Sequence, residues 1–516
     1  MCNFNIIVPW ASKYYITFAI INGFWYHINR GFLKEFFMLV DSEPRKVFYY
    51  FEQICDIPHG SYNIRKISDY LADFAASRGL KYHQDSLGNV IIYKAATKGY
   101  EDKPTIVIQG HMDMVAVKTK DSNKDLEAEG LDLRCDGQYL WADKTSLGAD
   151  DGIALAMALA ILDDEELPHP SLECVFTVNE EVGMDGAIGL DKSLIKGRML
   201  LNIDSEEEGI LTVGCAGGQR VEFSYPYTKE FYKGTKLLVK VDGLLGGHSG
   251  TMIHLQRANA NVLMGRVLDR LSSSFSIGLI SVDGGEKCNA ICLLSEAYLV
   301  IEDYDKSLID KLIGDINAEL VNEYAVTDPD ICISYQECGL GSFEGMDAKA
   351  KDAVIGILQA VPDGVIDYNK SIEGLVETSL NVGVVKTSDE RFDSFYELRS
   401  SAGSKINYLA RRVALIGSSF GASVKLAEAY PEWEYNRSSV LSERLPKLYS
   451  QMFGTDMKVE VIHAGLECGV LSKGLPGLDA VSFGPNILDI HTVNEKLDIE
   501  STKRVYSFLK RILEEI

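Results

Sequence analysis

Between Thr105 and Asp204, four apolar runs each end in a carboxylate or a histidine. They are TIVIQGHMDMV (105–115), SLGADDGIALA (146–156), CVFTVNEEVGMDGA (174–187) and LLNIDSEEEG (200–209). Each reads as a strand, or a turn into a helix, that delivers His111, Asp113, Asp150, Glu180, Glu181 or Asp204 at its end. Carboxylates gathered in one place repel, so something positive must compensate them. Imidazole and carboxylate oxygens together suit Zn²⁺, and also Co²⁺ or Mn²⁺. The group reads as most of a two-metal site. The missing ligand is expected near the other end of the chain.

The remaining bulk properties narrow the class. At 516 residues the chain is too long for one ordinary domain. A formal net charge of −24 excludes a nucleic-acid partner, which needs a basic patch. The ten cysteines include no CxxC pair, so neither a disulfide scaffold nor a zinc knuckle is expected. Reduced thiols in a cytoplasmic protein fit this usage.

Residues 1–37 differ in character from the rest of the chain. Their apolar run YYITFAIINGFWYHI (14–28) is interrupted by Asn22 and His27, and is too short to span a membrane. The expectation is that translation starts at Met38 and that 1–37 form an unassigned extension. From Pro44, helix, helix, strand, helix, strand alternate with short loops, as in an α/β layered domain. TIVIQGHMD, SLECVFTVN and RMLLNID are buried strands, and DDGIALAMALAILDD (150–164) is an internal helix. The segment 118–147 reads as polar and irregular. After GCAGGQR (214–220) the pattern changes to alternating strands, as in an antiparallel sheet with helices on one face. The fold class expected is therefore α/β with two domains. A catalytic α/β/α domain with a mixed sheet (38–216 and 433–516) carries an inserted α+β lid or dimerisation domain (217–432).

The chemistry can be assigned in part from the residues alone. Asp113, two positions past His111, can accept the imidazole's second N–H and fix the ring. Asp150, where loop meets helix, is suited to bridge two ions. Asp151 reads as a helix-entry residue. Of the adjacent pair Glu180 and Glu181, one binds and the other moves a proton. The acidic runs at 165–166 and 206–208 read as solvated faces.

GHMDMV, GADDGIA, NEEVGMDGA, NIDSEEEG and GCAGG together resemble the M20 family of metallopeptidases, in particular its aminoacyl-histidine dipeptidase (peptidase D, Xaa-His dipeptidase) branch. The similarity covers 38–516. The resemblance implies that His111 and Asp204 bind one ion, Glu181 and His491 the other, and Asp150 bridges them. It implies Glu180 as general base acting on a bridging water, and Asp113 as orienter of His111. GLLGGHSG (243–250) resembles the family's lid motif, whose histidine polarises the scissile carbonyl, often across a dimer interface. His248 would take that role. Arg399 resembles the binder of a substrate carboxylate. His463 and Glu467, in HAGLECG (463–469), are expected to line the substrate pocket, with Glu467 holding a free ammonium.

The activity implied is a dinuclear, zinc-type dipeptidase acting on small peptides with a free amino end, including Xaa-His types such as carnosine. A cytoplasmic homodimer without nucleic-acid or membrane partners is expected. The alternatives are a tripeptidase or an N-acyl-amino-acid deacylase on the same fold, and more distantly a non-catalytic metal-binding scaffold.

Overall fold

The computed structural model describes residues 18–21, 24–27 and 43–516, apart from 371 and 373. Phe18–Ile21 and Phe24–His27 pair as a short antiparallel hairpin. The expected start at Met38 lies outside the described residues.

One mixed sheet of eight strands organises the first part of the fold. Its order is Lys458–Ile462, Ile210–Cys215, Asp479–Ser482, Met199–Asn202, Ile106–His111, Leu172–Thr177, Val90–Lys94 and Lys81–Gln84. The strands at 479, 199, 106 and 172 run parallel to one another. Those at 90 and 81 pair antiparallel. Every residue of Ile106–His111 and Leu172–Thr177 is buried, as expected for strands covered on both faces. The helix Ala149–Leu162 is buried along its whole length. It packs between the strand Ile106–His111 and the helix Arg45–Cys55. Its composition, almost entirely Ala, Leu, Ile and Met, leaves it no solvated face.

The second sheet has nine strands, drawn from between Gly217 and Tyr430, and every pairing in it is antiparallel. Helices Ala260–Ser274, Lys306–Glu323, Ala348–Ala360 and Gly403–Phe420 supply much of its separate core. The fold is thus the expected α/β arrangement of a mixed-sheet domain with a second, antiparallel one. The chain leaves and re-enters the first sheet at one place. Cys215 and Trp433 exchange both backbone hydrogen bonds, at 3.0 and 3.1 Å.

The segment 118–147 departs from its reading as irregular. Leu133–Cys135 and Tyr139–Ala142 form a hairpin, and the second strand pairs with Lys496–Asp498. That pairing is long-range, so a local pattern does not show it.

Gly110 marks where the site constrains the core. A Cβ there would stand 2.5 Å from Asp151 Oδ2 and 2.7 Å from Ala154 Cβ, beneath the helix entry. Gly110→Ala is expected to cost about 1–3 kcal/mol, the usual range for overpacking. Denaturant unfolding of the metal-free protein measures it.

Candidate metal centre

The parallel strands bring their carboxyl ends to one edge, where ligand sites form in open sheets. His111 closes the strand Ile106–His111 and is 1% exposed. Asp204 follows Met199–Asn202 by two residues, and Glu180 and Glu181 follow Leu172–Thr177 in a short 3₁₀ turn. Asn179 enters that turn with a left-handed φ of 55°. It swings both glutamates out of the strand's alternation. His491 arrives from the C-terminal part with φ 61°.

Asp150 is the centre of the geometry. Its Oδ1 is 3.1 Å from His111 Nε2, and its Oδ2 is 3.0 Å from His491 Nε2. Asp204 Oδ1 lies 3.5 Å from His111 Nε2, and Glu181 Oε1 lies 2.9 Å from His491 Nε2. Each imidazole nitrogen therefore faces one oxygen of Asp150 and one oxygen of a further carboxylate. The arrangement is two-sided, with Asp150 common to both sides.

The electrostatics ask for cations here. Burial drives the His111 pKa down, but Asp204, Asp113 and Asp150 outweigh it and hold it well above the ordinary value. Burial opposes His491 likewise, and its bonds to Asp150 and Glu181 push it up to about 11. Burial raises the Asp150 carboxyl, yet the two imidazoles win and hold it low. Among the described residues no lysine or arginine is paired with Asp150, Glu181 or Asp204. The donor set, imidazole and carboxylate around a charge deficit, fits divalent ions of the zinc type.

Glu180 is half-buried. Burial first, then Asp204, Glu181 and Glu467, raise its carboxyl well above the ordinary range, against the pull of His111. A carboxyl biased in this way toward its protonated form is suited to take up a proton and return it.

Asp113 differs from its expected contact. Nδ1 of His111 lies 3.0 Å from the main-chain oxygen of Asp113 and 3.6 Å from its carboxylate. The carboxylate accepts instead from the Ser61 hydroxyl at 2.8 Å and from the Glu180 backbone N–H at 2.9 Å. Asp113 thus joins the His111 strand end to the Glu180 turn. Asp151 is more than a helix-entry residue. It is 1% exposed, and its Oδ2 accepts the His111 backbone N–H at 3.2 Å. The Asp150–Asp151 peptide is cis.

Glu467 is fully buried, at the start of the helix Glu467–Gly474. Its Oε2 accepts from Gln109 Nε2 and the Thr177 hydroxyl, both at 2.5 Å, while Gln109 Oε1 accepts from Asn202 at 2.7 Å. Gln109, Thr177 and Asn202 sit on the three strands that carry the ligands, so Glu467 ties those strands together beneath the site. The run 206–208 is corrected in one place. Glu206 and Glu207 are exposed, but Glu208 makes a bidentate pair with Arg504 at 2.6 Å.

His248 and Arg399 from the second domain meet His463 from the returning segment. Nδ1 of His248 accepts from the N–H groups of Gly250 (3.2 Å) and Thr251 (3.1 Å), which leaves the proton on Nε2. Burial, Arg399 and His491 push its pKa down to about 4, so the ring stays neutral. Arg399 is 5% exposed, donates to the Tyr430 hydroxyl at 2.6 Å, and has a buried Nε without a partner. His463 is 7% exposed, and its Nε2 meets the Ser379 hydroxyl at 2.7 Å. Burial, Arg399 and His248 hold it down at about 3.

Glu495 was missed. It is 2% exposed and accepts the backbone N–H groups of 147–150, the turn that presents Asp150. The signal available was its place four residues after His491 in HTVNE.

Residues 107–515 match peptidase family M20/M25/M40. The chain belongs to that family. It is a metal-dependent peptidase, a hydrolase of peptide bonds. It is 35% identical over 482 residues to the cytosol non-specific dipeptidase of Escherichia coli (strain K12), covering 93% of this chain and 99% of that one. Aminoacylhistidine dipeptidase from Vibrio alginolyticus superposes with a TM-score of 0.83 at 32% identity, covering 94% and 99% of the two chains. Aminopeptidase PepT from Bacillus cereus shares the fold, with a TM-score of 0.52 at 16% identity over 91% and 98%.

Glu467 gives the M20 chain a testable pH dependence. Burial lifts its carboxyl from 4.5 to about 7, against the pull of His111. The folded state then binds the proton more tightly than the unfolded state. Its contribution to stability is present below about pH 4.5 and is lost as pH rises through about 7. Glu467→Gln is expected to gain stability relative to wild type between about pH 4.5 and about pH 8. Denaturant unfolding of both metal-free proteins at the two pH values checks this.

Proposed function

We propose that this chain is a dinuclear metal dipeptidase, with Glu180 as general base and His111, Asp150, Glu181, Asp204 and His491 as the ligands. The observation that carries it is Asp150, which offers one oxygen to each of two imidazole–carboxylate pairs. Zinc is the ion the donor set suits best, with cobalt or manganese as alternatives. When bound, the ions would supply Lewis acidity and make a water nucleophilic at neutral pH.

The protein's own residues do the rest. Glu180 takes the proton of the attacking water and returns it to the leaving amine. His248, neutral with its proton on Nε2, donates to the scissile carbonyl oxygen as negative charge develops. Arg399 binds the carboxylate of a short peptide. A buried guanidinium with an unused donor is costly unless an anion arrives, and its planar fork suits a carboxylate. His463 stands beside it and shapes that end of the pocket. The names of the relatives from Escherichia coli and Vibrio alginolyticus support a dipeptide substrate with a free amino end, broadly tolerated and including Xaa-His types such as carnosine. The name of the relative from Escherichia coli supports a cytoplasmic location. The strand limits Gly217 and Tyr430 support a lid domain at 217–432.

Glu180→Gln is expected to lower kcat by about 10²–10⁴-fold, the usual share of general acid–base catalysis, with two metal ions still bound. Activity at the wild-type level overturns the assignment of the base. Arg399→Gln is expected to raise KM about 10- to 100-fold for free dipeptides, from the worth of about 1.5–3 kcal/mol of a charge-assisted hydrogen bond. Dipeptide amides should lose nothing further. Tripeptides and N-acyl amino acids in the same panel separate this reading from a tripeptidase or a deacylase.

A further inference from the structure

Glu495 is a buried acid that the hydrolytic chemistry leaves unused. Its Oε2 accepts the N–H groups of Leu147 at 2.8 Å and Gly148 at 3.1 Å. Its Oε1 accepts those of Ala149 at 2.8 Å and Asp150 at 3.5 Å. These amides enter the helix Ala149–Leu162, and a helix's first amides have no partner within the helix. Gly148, with φ 67°, has no side chain to cap them. The acceptor comes instead from 345 positions downstream of Asp150.

The surroundings make this contact more than a cap. Immediately after Glu495, Lys496 and Leu497 pair with Trp141 and Leu140, on the strand that leads toward the same turn. Four residues before it, His491 reaches Asp150 Oδ2 at 3.0 Å. The segment 491–495 therefore holds Asp150 twice, by its carboxylate through His491 and by its main chain through Glu495. His111 and Asp204, by contrast, stand at the ends of two strands that pair with each other, and their link to the turn is the single bond from the His111 N–H to Asp151 Oδ2 at 3.2 Å.

We propose that Glu495 is a positioning residue that sets the bridging carboxylate between the two cation positions and so makes the Glu181–His491 position depend on the 147–150 turn. The proposal rests on the dinuclear reading of the site. Without the carboxylate, the four amides lose their acceptor and the turn relaxes. Asp150 then stays with His111 but no longer meets His491 and Glu181 in register. The His111–Asp204 position keeps its ion, and the other weakens first.

The test is Zn²⁺ titration of the metal-free protein in competition with a chromophoric chelator, with thermal unfolding of the same samples. Glu495→Gln keeps the volume but turns an NH₂ group toward two of the amides. Glu495→Asp keeps the charge one methylene short and serves if the first variant does not fold. Glu173→Gln is the control. Glu173 accepts the N–H groups of Lys196 (2.9 Å) and Gly197 (2.9 Å) in a comparable buried clasp, near the start of the strand Leu172–Thr177 and away from the site. The expected result is two ions for wild type and Glu173→Gln. For Glu495→Gln the first ion is unchanged and the second is weakened about 10- to 100-fold, the usual effect of losing a group that orients a ligand. Glu495→Asp should fall between. Unchanged affinities in the Glu495 variants, whatever their melting temperature, overturn the proposal. So does equal weakening of both ions. A wild type that takes up one ion alone overturns the dinuclear reading itself, which distinguishes the two failures.

Discussion

The structure depends on one carboxylate that faces two ways. Asp150 holds one oxygen toward His111 and the other toward His491, and each imidazole faces a further acid. Brought together without cations, these acids would repel and unfold the edge of the sheet. The arrangement is stable only where positive charge is supplied, by protons on the imidazoles or by metal ions. The surrounding carboxylates, Asp113, Asp151, Glu467 and Glu495, are each spent on backbone amides or neutral side chains rather than on cations. They hold the ligands and leave the cation demand at the centre.

Much of this was legible in the sequence because it is written locally. An apolar run followed by His or an acid reads as a buried strand with a polar end, and His111, Glu181 and Asp204 lie so, while Asp150 opens an apolar helix. His491 required the resemblance, since nothing local separates it from a loop histidine. What sequence could not show is contact across distance. The hairpin 133–142 is stabilised by a strand at Lys496–Asp498, and Glu495 reaches back to 147–150. The strand-tying contacts of Glu467 were equally invisible, because they join segments far apart in the chain. In the fold, its helix begins beneath the ligand strands, where Gln109 and Thr177 need an acceptor.

The lid side obeys the opposite charge rule. Arg399, His463 and His248 crowd together, and the arginine's charge joins burial in keeping both histidines neutral. A cation buried with an unused donor beside an acid-rich metal centre gives the cleft two poles.

The two poles come from sequence segments that a large insertion separates, and the topology explains how this is tolerated. Loop closure costs entropy that grows only slowly with length, yet a floppy insertion of this size would still loosen His491. The insertion is not floppy, for it has its own core and its own sheet. Its ends are also joined. Gly218 pairs with Tyr430, and Cys215 exchanges two backbone bonds with Trp433. To the first domain the insertion is therefore a short, closed connection, and the returning chain enters the sheet already placed. The same junction carries Tyr430, whose ring stands 2.2 Å from where a Gly218 Cβ would lie and whose hydroxyl accepts from Arg399. The junction that closes the insertion thus also positions the Arg399 guanidinium, so both poles of the cleft are set by one joint.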